Sequence, residues 1–259
     1  MNIALLLSGG KGLRIGGEVP KQYIDVKGVP IISYSLRTLI KHPLIDAVWI
    51  VAEEEYKELI ENSIEKIVSD ERLSENGTSF KNEALSEDKD TVSVKFRGFS
   101  TPGKNRQESI LNGLRDIRKY AEDADKILVH DAARPFISDE LITECFRAIE
   151  EHDGVLPVLP MKDTVYICNK ENKITSLIDR STVFRGQAPE LFVFGKYYEA
   201  NLNLGDDIEK INGSTEPAIL EGMDIVTIEG DEENFKITTS EDLARMNNIM
   251  EKYIAEERM

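Results

Sequence analysis

The sequence predicts an α/β fold built on a mostly parallel sheet flanked by helices, and three observations lead to it. Short apolar runs recur at residues 3–7, 47–52, 126–130 and 154–159, segments of helical periodicity lie between them, and the first run ends in Ser8-Gly9-Gly10. Continuous apolar runs suit strands buried on both faces, and strands alternating with helices are the pattern of a parallel sheet.

Taken in order, residues 3–7 read as a strand running into a glycine-rich turn. Pro30 opens a helix with apolar positions at Ile31, Ile32, Leu36, Leu39 and Ile40, since proline suits a helix start. A strand over 47–52 and a helix over 56–68 follow. Residues 69–90 combine many acids with no regular period, which predicts an exposed insertion. Then come a strand over 92–96, a helix over 107–120 and a strand over 126–130. Ser138 caps a helix running to residue 150, with Asp139 and Glu140 in its first turn where the helix dipole favours acids. After a strand over 154–159, residues 164–168 and 173–178 flank a polar loop, which predicts a β-hairpin arm projecting from the sheet. A short helix opens near Pro217 and closes at Gly222, a strand covers 225–228, and Thr239 with Asp242 starts the final helix. The expectation is one domain over 1–259, with the insertion at 69–90 and an arm at about 164–180.

The chain has 259 residues, 41% hydrophobic and 31% charged, with a net charge of −16. That composition predicts a folded chain and argues against a broad grip on nucleic acid or an anionic membrane. Positive charge gathers locally, however. Lys11, Arg14 and Lys21 stand against Glu18, and Lys95, Arg97, Lys104 and Arg106 form a run without an acid. Such reversals on an acidic protein point to a small polyanion. Cys145 and Cys168 form no CxxC pair, and no secretory leader or membrane span is evident, so the expected location is cytoplasmic.

The glycine-rich segment runs from Leu7 to Arg14 and is followed by Pro20-Lys21-Gln22. Glycines let backbone amides approach phosphate, and Lys11, Arg14 and Lys21 supply the charge a triphosphate needs. The segment lacks the Gly-Lys-Ser/Thr of a Walker A loop. It also lacks the third glycine of GxGxxG, where Ile15 stands, and the acid expected about 20 residues on. A dinucleotide-dependent oxidoreductase is therefore disfavoured. The second constellation, His130-Asp-Ala-Ala-Arg134, lies at the carboxyl end of a strand, where open α/β sheets bind ligands. Asp131 suits magnesium there, and Arg134 suits either a substrate phosphate or Asp131 itself. A turn cap with its ion-pair partner is the bland alternative. His130 reads as structural, and His42 and His152 lie near helix ends.

Six segments occur in one order along the chain: LSGGKGLRIGGEVPKQY, KNRQESILNGL, VHDAARPFI, MKDTV, IDR and ENFKITTSEDL. Together they resemble the cytidylyltransferases that act on 2-C-methyl-D-erythritol 4-phosphate or ribitol 5-phosphate. The resemblance implies a Rossmann-like nucleotidyltransferase fold, CTP and a polyol phosphate as substrates, and a homodimer with exchanged hairpin arms. It implies a divalent cation, such as Mg2+, at Asp131. It also places Ser8, Gly9, Gly10, Gly12, Gly103, Ser109 and Ala132 with the nucleotide, and gives Arg14, Lys21 and Lys236 the catalytic neutralisation of phosphate. Arg134, Thr164, Arg180 and Ser214 would lie on the acceptor side, Arg180 reaching the neighbouring subunit. Retention of Arg14, Lys21, Asp131 and Lys236 disfavours an inactive binding protein on this fold. Two departures stand out. Ala188-Pro189-Glu190 replaces the usual Thr-Pro-Gln, and Ser214-Thr215-Glu216 replaces Thr-Asp-Glu or Thr-Asp-Asp. If Ala188 and Glu190 face the acceptor phosphate, the missing hydroxyl and the added acid would weaken use of the usual acceptor; if they point away, that acceptor is retained.

Overall fold

In the computed structural model, which describes residues 1–10, 19–75 and 95–256, an eight-stranded sheet organises the chain. β1 (Asn2–Leu7) lies at its centre, with parallel neighbours β4 (Ala47–Val51) and β6 (Lys126–Asp131). β5 (Phe96–Ser100) extends the parallel set beyond β4. Every residue of β4, and all but the first of β6, is buried, as the apolar runs predict for strands covered on both faces. β11 (Glu190–Val193) runs antiparallel to both β6 and β7 (Gly154–Pro160). β10 (Phe184–Gly186) pairs antiparallel with β7, and β12 (Ile225–Glu229) pairs with it in parallel. A separate two-stranded turn, β2 (Asp25–Val26) and β3 (Val29–Pro30), leads into the first helix.

The helices are α1 (Ile31–Lys41), α2 (Lys57–Glu75), α3 (Arg106–Ile117), α4 (Asp139–Ala148), α5 (Phe194–Asn203), α6 (Glu216–Leu220) and α7 (Ser240–Glu256). Their starts follow the cap residues. Ser138 Oγ accepts from the Leu141 amide, and Asn105 Oδ1 accepts from the Glu108 amide at 2.8 Å. Thr239 and Asp242 bond reciprocally ahead of α7. One core cluster joins α1, α2 and α4 to the sheet through Leu36, Ile60 and Ile142, and a second joins α3 and α5 through Ile110, Phe192 and Tyr197. Trp49 on β4 donates to Ser100 Oγ, and that hydroxyl donates to Asp116 on α3, both at 2.8 Å. No helix among the described residues is long and apolar enough to cross a membrane.

Several expectations need correction. α2 continues to Glu75, so residues 69–75 are helical rather than loop, and the remainder of the expected insertion lies outside the described residues. β5 begins at Phe96 instead of ending there. Pairing with Val48–Val51 carries the strand on through Arg97 and Gly98 to Ser100. α3 stops at Ile117, short of Tyr120. Strands β10 and β11 and helix α5 had no clear signal, because β11 is four residues long and follows Ala188-Pro189. The hairpin is present as β8 (Val165–Cys168) and β9 (Ile174–Ile178), and its Tyr166, Ile167, Ile174 and Leu177 are exposed.

Phe192 is fully buried and stacks on Tyr197 at 4.0 Å, joining β11 to α5. Phe192→Ala should lower unfolding free energy by about 3–5 kcal/mol. Urea titration followed by circular dichroism checks this, and a loss below about 1 kcal/mol would show that this junction is not a core contact.

Candidate functional site

The carboxyl ends of β1, β4 and β6 open on one cavity of about 450 Å³. Its lining draws Gly9 and Gly10 from the turn after β1, Glu53 from the end of β4 and Asp131 from the end of β6. Gly103, Lys104, Asn105, Arg106 and Ser109 enter from the start of α3, Lys21 from a short 3₁₀ turn (Lys21–Tyr23), and Lys236 from the segment before α7. This is the crevice beyond the strand ends where open α/β sheets hold ligands.

Close backbone packing shapes its walls. A Cβ on Gly9 would lie 2.5 Å from the Pro102 ring, and one on Gly103 would lie 2.4 Å from Glu108 Cβ. Neither contact is tolerable, so both positions require glycine. Gln22 Nε2 donates to the carbonyls of Ser8 and Gly10, the latter at 2.7 Å, and Tyr23 donates its hydroxyl to the Ser8 carbonyl at 3.0 Å. Tyr23 stacks on Tyr56 at 4.0 Å, which braces the same turn. On the opposite wall the Gly103 amide donates to Ser109 Oγ at 2.9 Å, and Ser109 donates to the Asn105 carbonyl at 2.8 Å.

Charge concentrates at Asp131. Its Oδ1 accepts from Arg106 Nε at 3.2 Å, its Oδ2 accepts from Lys236 Nζ at 2.8 Å, and Arg134 Nε lies 3.8 Å from Oδ2. Burial pushes this carboxyl up, but Arg106, Lys236 and Arg134 outweigh it and hold it well below the ordinary carboxylate range. Asp131 is therefore an anion ringed by cations. Among the described residues no group of three or more His, Cys, Asp or Glu stands together as a ready-made metal site. One hard carboxylate on the floor of a cation-rich cavity nevertheless suits a magnesium ion that arrives with a polyphosphate, because that ion commonly takes only one or two protein carboxylates. The donor set fits.

Of the residues expected from sequence, Gly9, Gly10, Lys21, Gly103, Ser109, Asp131 and Lys236 meet at this cavity. Ser8 and Ala132 lie buried behind it, the Ala132 amide donating to the Leu7 carbonyl at 3.0 Å. Lys21 is not on an open loop but sits in the 3₁₀ turn, 9% exposed. Gly12 and Arg14 lie outside the described residues. Arg134 supports the floor from beneath, its Nη1 donating to the Asn234 carbonyl at 2.7 Å. Thr164 and Arg180 are exposed at the base of the arm, Arg180 donating to the Lys162 carbonyl, while Ser214 is buried; none of the three lines the cavity. Glu190 does not present an exposed acid to an incoming phosphate, because it is buried and accepts from Thr215 Oγ1 at 2.8 Å. Ala188 is buried too, its carbonyl accepting from Asn234 Nδ2 at 2.7 Å. Arg106, Gln22 and Glu53 were not singled out as site residues. The acid-free basic run ending at Arg106 was the available signal.

Comparison with known proteins finds relatives along nearly the whole chain. A family model described as IspD, 2-C-methyl-D-erythritol 4-phosphate cytidylyltransferase, matches residues 2–252. A curated relative of that name from Clostridium beijerinckii is 31% identical over 240 residues, covering 93% of this chain and 94% of its own. One of the same name from Geobacter metallireducens is 30% identical over 242 residues, with 93% of each chain covered. In fold, the chain is similar to a crystal structure from Anaerococcus prevotii titled 4-diphosphocytidyl-2C-methyl-D-erythritol synthase, with a TM-score of 0.74, 22% identity and 96% of each chain covered.

The same cluster sets a pH dependence. His130 is fully buried beside Asp131, with Nε2 3.1 Å from the Arg134 carbonyl, and burial drives its pKa from 6.5 down to about 4. The unfolded chain protonates this imidazole first as pH falls, so folding stability should drop between pH 6.5 and about 4, by up to about 3 kcal/mol. His130→Gln removes the titration. Urea midpoints at neutral and mildly acid pH should lie closer together in the variant than in the wild type, and an equal gap in both would refute the assignment.

Proposed function

The chain belongs to the 2-C-methyl-D-erythritol 4-phosphate cytidylyltransferase family, a family of nucleotidyltransferases, and on that premise we propose that it transfers CMP from CTP to 2-C-methyl-D-erythritol 4-phosphate with release of pyrophosphate. The observation that carries the reading is the meeting of the glycine turn, Lys21, Arg106, Asp131 and Lys236 at one cavity beyond the strand ends. A cavity walled by backbone and floored by cations is suited to a triphosphate, whose charge otherwise resists burial. The names carried by the relatives favour methylerythritol phosphate over ribitol 5-phosphate as acceptor.

An acceptor phosphate oxygen attacks the α-phosphorus, forming a new P–O bond as the bond to the β-phosphate breaks and pyrophosphate departs. The nucleophile is already an anion, so the step needs no general base. That matches a His130 that burial keeps neutral at working pH and that serves the fold. Asp131 would hold a divalent cation, which supplies neutralisation of the triphosphate. Lys21 and Lys236, with Arg14 from the glycine-rich segment, offset charge developing around the α-phosphate and on the leaving group. Ser8, Gly9, Gly10, Gly12, Gly103, Ser109 and Ala132 form the nucleotide side of the site. Thr164 and Arg180 belong to the acceptor side, with Arg134 supporting it from beneath the floor, whereas the burial of Ser214 keeps that residue from direct contact with the acceptor.

Placing Thr164 and Arg180 beside an acceptor calls for a second copy of the chain, because both lie at the base of the arm and outside the cavity of their own subunit. An isolated two-stranded hairpin is only marginally stable in water, and Ile174 and Leu177 on this one are 63% and 64% exposed. A homodimer in which the arms cover one another's sites resolves both points.

Pyrophosphate release should require CTP, a divalent cation and methylerythritol phosphate, and ribitol 5-phosphate measured in parallel should give a lower kcat/KM. The opposite order would move the acceptor assignment, and release with neither acceptor would remove the reaction. Lys21→Ala and Lys236→Ala should lower kcat by about 10²–10³-fold while circular dichroism shows both variants folded. Asp131→Asn should abolish the activity that depends on the divalent cation while leaving the fold intact. Normal turnover in any of these folded variants would take that residue out of the mechanism.

The shared site has its own test. Heterodimers of Arg180→Ala and Asp131→Asn subunits should regain activity that neither homodimer shows, because one of the two sites is then intact. No recovery in verified heterodimers would argue that each subunit works alone.

A further inference from the structure

Glu190 is a buried acid beside the cavity floor to which the mechanism above gives no task. It is 8% exposed and opens β11, where the register sets it opposite Val129, two residues before Asp131. Its two oxygens face different neighbours. Oε2 accepts from Thr215 Oγ1 at 2.8 Å, and Oε1 faces Arg106 Nη2 at 4.0 Å. The same Nη2 lies 3.1 Å from Asp131 Oδ1. Arg106 therefore stands between two carboxylates, one on the cavity floor and one behind it.

That arrangement matters if Asp131 must also hold a cation. A carboxylate already serving as counter-ion to Arg106 and Lys236 is a weak metal ligand until those cations move, and a guanidinium removed from water is costly to leave without an opposite charge. Lys236 can turn to the substrate phosphates, because it lines the open cavity. Arg106 has a nearer alternative. We propose that Glu190 takes over Arg106 when Asp131 engages the divalent cation that accompanies CTP. Glu190 is thus a positioning residue for the metal–triphosphate complex and makes no substrate contact. The inference rests on the cytidylyltransferase reading.

Both departures from the family pattern meet at this contact. The usual residues are an amide at 190 and an acid at 215, whereas this chain has an acid at 190 and a hydroxyl at 215, bonded to one another. The negative charge thus stands on the other side of a single hydrogen bond, 4.0 Å from Arg106.

The test uses the full chain with CTP, no acceptor, and Mn2+ as the metal probe, free Mn2+ being counted by electron paramagnetic resonance. Binding is thereby read apart from turnover. Glu190→Gln should weaken Mn2+ binding in the presence of CTP by about tenfold, while CTP binding in excess chelator stays within about twofold of the wild type. Adding Thr215→Asp to Glu190→Gln should restore the Mn2+ affinity, since it returns the carboxylate from the other side. Unchanged Mn2+ affinity in folded Glu190→Gln overturns the proposal, and so does a parallel loss of metal-free CTP binding, which would mark a merely structural role. Should Glu190→Gln not fold, the double variant decides: wild-type Mn2+ affinity supports the handover and a tenfold loss overturns it. A wild type that binds no Mn2+ with CTP would instead overturn the nucleotide reading itself.

Discussion

The buried carboxylate of Asp131 is the interaction around which the rest of the site is arranged. A buried anion at the end of a strand is tolerable only if cations reach it, and here two come from distant parts of the chain, Arg106 at the start of α3 and Lys236 before α7, and a third, Arg134, from just after β6. Each of those contacts fixes a backbone segment. Arg106 draws in the segment carrying Gly103 and Ser109, and Arg134 anchors the Asn234 carbonyl two residues ahead of Lys236. The cluster that neutralises Asp131 in the free protein thus also prepares cationic side chains for an anionic ligand. Structural and chemical demands on these residues coincide.

Much of this was legible in the residues. The strands β1, β4 and β6 announce themselves because burial on both faces leaves no room for polar alternation, and helix starts at Ser138 and Thr239 follow from side chains that can satisfy free amides. Most of the expected nucleotide-side residues meet in the cavity for a related reason: strand-end and glycine-turn positions are local consequences of sequence. What escaped was long-range. The direction of Glu190 is open in the sequence, because nothing local shows that it enters a strand and turns toward Thr215. Arg106 was visible as charge but not as a site residue, since its role depends on Asp131, 25 positions away. Strands β10 and β11 were missed because short antiparallel strands rely on their neighbours rather than on their own periodicity.

The antiparallel insertion of β11 between β6 and β7 gives the two halves of the sheet different characters. On one side of β6 the strands are parallel, and their carboxyl ends form the cavity. On the other side β7 carries β10, β11 and β12 and leads directly into the hairpin. β11 thus lies between the parallel strands whose ends form the cavity and the strands that lead to the hairpin. It also sets Glu190, the first residue of β11, close to the residues of both.

The pairing of β1 carries a consequence in time. Its partners β4 and β6 lie about 45 and 124 residues further along the chain, and Lys236 follows Asp131 by 105. During synthesis, which proceeds from the amino terminus at roughly 5–20 residues per second, the glycine turn and Lys21 emerge long before the carboxylate and the last cation that complete the cavity. A nucleotide can therefore stabilise the fold only at the end of its construction. The nascent chain must keep β1, an apolar strand, out of wrong partnerships without that help until β6 has been made.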